Sequence, residues 1–187
     1  MCEIKRNPVS LHCVLNENTL TMKKIIPYLL AAFLFILMGF DVDPVYYGPY
    51  KPVFMLRSEL EKNVKLEEPK TISNPGKIYV KENLIFINEK YRGIHVIDNI
   101  NPADPSNIAF LSIDGCIDMA VKNNVLYADN AVDLIAINLN ENLTGIEVTK
   151  RIKNIFPEPL SPDGRGLTWQ ERRAVPDGAI LVRWEIN

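Results

Sequence analysis

The chain has 187 residues and a formal net charge of −2, a length that suits one ordinary domain. Its mixed charges lack the basic stripe of nucleic-acid binders, and a charged fraction of 24% is too ordinary for wholesale disorder. Three cysteines, Cys2, Cys13 and Cys116, form no CxxC and no closely spaced even set, so no disulfide scaffold follows.

Residues 1–21 read as a spurious or disordered leader, because an export signal opens behind them at Met22. Lys23 and Lys24 precede an uncharged run from Ile25 to Phe40, the n-region and h-region of a signal peptide or membrane anchor over 22–40. As a helix the run spans roughly 24 Å at 1.5 Å per residue, short of the ~20 residues a spanning helix needs. A core helix of a small domain would show a polar face, and this run shows none. Its end, Leu37-Met38-Gly39-Phe40, resembles the lipobox of bacterial lipoproteins. Phe40 stands where that box has the cysteine that takes the lipid, so the box is degenerate at Leu37, Gly39 and Phe40.

Residues 41–75 read as a Pro/Tyr-rich tether with a short helix within Phe54–Glu68, against which a strand reading of Asn63–Leu66 competes. Pro44, Pro49 and Pro52 exclude a long helix or a central strand there.

From Lys77 onward the chain says nearly the same thing twice. Lys81, Asn83, Leu84 and Phe86 match Lys122, Asn124, Val125 and Tyr127 at a spacing of 41. Ile94, Val96, Ile97 and Asp98 match Leu134, Ala136, Ile137 and Asn138 at a spacing of 40, so one residue is lost in the intervening turn. Each copy holds four short alternating runs separated by turn residues, the pattern of a four-stranded antiparallel unit. The predicted fold is all-β, a partial β-propeller of four-stranded blades at 76–114 and 115–153 behind the N-terminal helix. Residues 154–187 are a Pro/Gly-rich insertion and the start of a third blade. Propellers close with about four to eight blades, so the pattern predicts the front portion of a longer protein. A compact β-sandwich or rolled sheet is the alternative.

The segment Ile78–Ile108, with His95-Val96-Ile97-Asp98 followed by Asn101-Pro102, resembles the LVIVD repeat of Bacteroidetes-type β-propeller surface lipoproteins. The second copy keeps the strand but carries Asn138 for Asp98 and lacks the proline. The resemblance runs from Met22 to the C-terminus and implies a fold but no reaction. Physically, Asp98 ends a strand where its carboxylate can accept loop N–H groups, and Pro102 blocks strand extension.

The candidate chemistry is sparse. Only His95 lies in the repeats, without the converging ligands zinc needs, and the acids lack a calcium-loop pattern, so no catalytic residue, metal site or cofactor is assigned. Asn142–Thr144 is a glycosylation triplet by letter alone. Trp169, Arg172 and Arg173 form an aromatic–arginine cluster of the kind found on binding surfaces, whereas Trp184 reads as a core residue.

The expected protein is exported, lies in the cell envelope at the outer membrane or periplasmic side, and is membrane-associated through its N-terminal segment. It is read as a non-catalytic repeat protein presenting loops to a protein or glycan ligand, with self-association through an open sheet edge and no nucleic acid. A hydrolase of glycans or peptides with part of its site in missing blades is one alternative, and a truncated non-functional remnant another.

Overall fold

A computed structural model describes residues 48–139 and 145–187, together with positions 27, 28, 30, 31 and 33. The leader, the degenerate lipobox at Leu37, Gly39 and Phe40, and the Asn142–Thr144 triplet lie outside the described residues. Among the described residues no helix is long and apolar enough to cross a membrane. The chain divides into Met1–Val45 and Tyr46–Asn187, and every element named below belongs to the second unit.

The described fold is mostly β. In chain order it runs β1 (Tyr50–Leu56), α1 (Arg57–Lys62), β2 (Lys65–Glu67), β3 (Pro75–Lys81), β4 (Leu84–Glu89), β5 (Gly93–Asp98), β6 (Ser106–Ser112), β7 (Met119–Lys122), β8 (Val125–Asn130), β9 (Asp133–Leu139), β10 (Ile146–Ile152), α2 (Trp169–Arg173) and β11 (Ala179–Ile186). The strands form three antiparallel sheets ordered β2-β6-β5-β4-β3, β10-β9-β8-β7 and β1-β11, none of them closed into a barrel.

Each sequence copy is one up-and-down meander. Lys81 pairs with Leu84 and Lys122 with Val125, leaving two-residue turns at Glu82-Asn83 and Asn123-Asn124. Asn123 and Asn124 take φ of +49° and +63°, the left-handed region such turns demand and asparagine tolerates. The next turn differs between copies. Glu89 pairs with Gly93 across three residues, whereas Asn130 pairs with Asp133 across two. That is where the spacing falls from 41 to 40. Gly93 is required on steric grounds: its φ is +148°, and an added Cβ would lie 2.0 Å from the Leu111 carbonyl oxygen.

The two meanders stack face to face. Phe86, Ile94, Val96 and Leu111 of the first sheet meet Val121, Leu126, Ile135 and Ile137 of the second in one buried cluster. At the edge where β3 lies beside β7, the Tyr79 hydroxyl donates to the Val121 carbonyl at 2.8 Å, and Lys77 pairs with Asp118.

The stretch read as a tether is built into the fold from Tyr50 onward. β1 pairs along β11, and β2 adds a fifth strand to the first sheet beside β6. Pro52 is accommodated because a strand in a two-stranded sheet has a free edge. A helix does follow, as α1, and its Leu60 packs with Ala131 and Val182 in a second small cluster. β11, expected to open a third meander, pairs only with β1 among the described residues. α2 begins with a capping box: Glu171 N–H donates to Thr168 Oγ1 at 3.2 Å, and Thr168 N–H to Glu171 Oε2 at 2.8 Å.

Candidate binding surface

Strand alternation puts successive side chains on opposite faces, so the stacked pair has a buried face and a free face on each sheet. In the first sheet Phe86, Ile94 and Val96 point into the core between the sheets. In the second sheet the counterparts of these residues, Tyr127, Leu134 and Ala136, lie outside that core, and Tyr127 is 39% exposed. The second sheet instead fills the core with Leu126, Ala128, Ile135 and Ile137. Their first-sheet counterparts Ile85, Ile87, His95 and Ile97 alternate onto the other face. Equivalent residues thus face the same way in both copies, and the sheets stack head to tail.

The free face of the second sheet forms one wall of an apolar cleft of about 550 Å³. Ala120, Tyr127 and Leu134 line that wall, and Phe156, Pro157 and Leu160 line the opposite one. Phe156 N–H holds its loop in place by donating to the Val132 carbonyl at 3.0 Å. At the rim Asp129 accepts from Ile117 N–H at 2.9 Å and Asp118 N–H at 2.8 Å. Burial raises the Asp129 carboxyl above the usual range despite these donors. Asp118 is held low by its hydrogen bond to Lys77. The cleft can take an apolar, sheet-like or aromatic surface, and Asp118 offers a charge at its edge.

The outer face of the first sheet is only half open. Ile78 and Val80 are 64% and 60% exposed, while His95 and Phe110 are buried beneath the strap at residues 68–74. Asn107 Nδ2 donates to the Lys70 carbonyl at 2.7 Å, and Lys70 Nζ lies 4.5 Å above the Phe110 ring. Glu89 fixes the end of this strap. Its carboxylate accepts from Ser73 N–H at 3.0 Å, Ser73 Oγ at 2.7 Å and Asn74 N–H at 2.6 Å. His95 Nε2 stands 3.1 Å away and donates to the ionised acid. Burial alone would raise the Glu89 carboxyl, but the donors from Ser73, Asn74 and His95 outweigh it and hold the group down at about 2. This saturated carboxylate is an acceptor and a latch. Sequence reasoning missed it, because Glu89 reads as a turn charge and its partners come from a separate segment.

Asp133 is a second buried hub. It accepts from Arg57 and Arg151, each at 2.8 Å, and from Asn154 N–H at 3.0 Å. Burial pushes its carboxyl up, and these donors bring it below the ordinary value. The network ties α1 to the turn between β8 and β9.

Of the residues read from the sequence as a repeat signature, Asp98 and Asn101 cap turns in the loop after β5. Asp98 Oδ1 accepts from Ile100 N–H at 2.9 Å, and Asn101 Oδ1 from Ala103 N–H at 3.2 Å. Pro102 is exposed in that loop, and Asn138 is exposed opposite Glu147. Trp169 is 63% exposed with the Arg173 guanidinium 4.5 Å from its ring centre, while Arg172 forks onto Glu158 at 3.0 and 2.8 Å. Arg172 and Glu158 join this cluster to the far wall of the cleft. Trp184 is buried, donating from Nε1 to the Pro159 carbonyl at 2.9 Å. Cys116 is fully buried. Among the described residues no group of three or more His, Cys, Asp or Glu could hold a metal ion.

No family model, curated protein or solved structure matches this chain.

Proposed function

We propose that this chain is a non-catalytic, envelope-associated repeat protein, exported and held at the membrane by residues 22–40. In this reading the meanders β3–β6 and β7–β10 are consecutive blades of a partial β-propeller, and their exposed surfaces bind or scaffold a protein or glycan partner. One observation carries the proposal: residues equivalent between the copies face the same way, which leaves an apolar face and cleft on the second sheet. A sandwich of two sheets related by a two-fold axis would turn equivalent faces toward each other. A head-to-tail stack leaves one face unpartnered at each end, as propeller blades do before closure. The Lys23-Lys24 pair and the uncharged run behind it support export.

The test is a photo-crosslinking residue placed at Tyr127 of the full chain in a Gram-negative host, with Asp177, exposed in the turn before β11 and outside both meanders, as control position. The expected result is discrete adducts from position 127, recovered with the membrane pellet and absent from position 177. Equal labelling at both positions, or none at either, would refute the binding reading.

A further inference from the structure

Resting on that reading and naming its partner, we infer that the free face of the second sheet is covered by the first sheet of a second copy of this chain. The occupant follows from the repeat. The free face of the second sheet carries Ala120, Tyr127, Leu134 and Ala136, the counterparts of Tyr79, Phe86, Ile94 and Val96. Within the chain, that set of first-sheet residues packs against Val121, Leu126 and Ala128. The counterparts of these three are Val80, Ile85 and Ile87, which the first sheet turns outward, with Val80 60% exposed. Beside the Phe156–Leu160 loop on one outer face and the 68–74 strap on the other, the parts left open around Tyr127 and Val80 therefore repeat part of the apolar pairing already buried inside one molecule.

The charges agree. Lys77 of the first copy pairs with Asp118 of the second, and these residues are themselves equivalent at the spacing of 41. Stacking the second sheet on another molecule's first sheet brings Asp118 to Lys77 of that molecule, again opposite in sign. The strap at 68–74 buries His95 and Phe110 but leaves Ile78 and Val80 open beside the Lys77 edge. Left unreciprocated such contacts would grow open-ended, but two chains that each give their second sheet to the other's first close as a two-fold dimer. Two chains supply four sheets, at the low end of what propellers close with.

The experiment is light scattering coupled to size exclusion on the full chain in mild detergent, with bound detergent subtracted. The wild type is expected at twice its 21.3 kDa mass. Tyr127→Glu and Val80→Glu should each fall to one chain, and mixing the two should restore a dimer, because each retains the face the other lost. Circular dichroism checks that both remain folded. If either unfolds, Asp118→Lys should lose the dimer and Asp118→Lys with Lys77→Asp should regain it. A monomeric wild type, or a dimer that none of these changes disturbs, overturns the inference. Adducts from position 127 to a different protein, with a monomeric chain, would sink self-assembly yet leave the binding reading standing. A monomer without adducts would sink both.

Discussion

Phe86 and Tyr127 occupy the same place in the two repeats, yet Phe86 is sealed between the sheets and Tyr127 opens onto the cleft. Local sequence does not distinguish them, since both are aromatic residues in the second strand of a meander. Their fates differ because the first sheet has a neighbour on that side within the described fold.

This difference predicts unequal costs for equivalent truncations. Phe86→Ala removes a ring from the packed core and should cost about 3–5 kcal/mol. Tyr127→Ala on the free face should cost under ~1 kcal/mol of chain stability. Urea unfolding followed by circular dichroism checks both, and equal losses would mean that Tyr127 is packed.

The Glu89 latch predicts an acid-sensitive strap. Its carboxyl sits near 2 in the fold against an ordinary 4.5. A depressed folded value means the stabilisation is fully present above about pH 4.5 and is lost as pH falls through about 2. The shift corresponds to roughly 3 kcal/mol. Glu89→Gln should remove this share at neutral pH and flatten stability between pH 4.5 and 2. Limited proteolysis should then cut the variant near Ser73 well before the wild type. An unchanged pH profile would rule the latch out.

Removing Asp133 leaves the guanidinium groups of Arg57 and Arg151 facing each other without their shared acceptor. Asp133→Ala should cost about 3–5 kcal/mol, the expected penalty for breaking one side of a buried ion pair. Arg57→Ala should cost less, since its side chain is 23% exposed and Arg151 remains on the acid. Thermal unfolding of the two variants should rank them in that order.

Cys116 should be chemically silent in the folded chain. Burial first, and then the neighbouring Asp129, push its thiol well above the ordinary value. In a Cys2→Ser, Cys13→Ser background, a thiol reagent at pH 8 should label Cys116 only at the rate of unfolding, and in full once urea is added. Rapid labelling under native conditions would show an open path to the sulfur.

The meanders were legible because strand alternation and turn residues are local signals. Leu84 to Asp98 reads as two strands and a turn from its own residues, and its copy gives the same pattern. β1 was not legible, since Pro49 and Pro52 argue against a strand until β11, over a hundred residues away, supplies a partner. The Glu89–His95 contact and the Asp133 hub were hidden for the same reason. Their meaning lies in Ser73, Asn74, Arg57 and Arg151, which only the folded chain brings near. The loop role of Asp98 could be argued because its acceptor geometry spans only two residues.

Gly93 and Asp133 open the third strand of their respective meanders, at equivalent positions. One must be glycine because the Leu111 carbonyl crowds it, and the other is the acid on which two arginines converge. The two halves have ceased to be interchangeable. A recombination event that copied one half over the other would place a carboxylate where no Cβ fits, or leave two guanidinium groups without their acid. The two meanders share an outline, yet each depends at this position on a residue that the other could not hold.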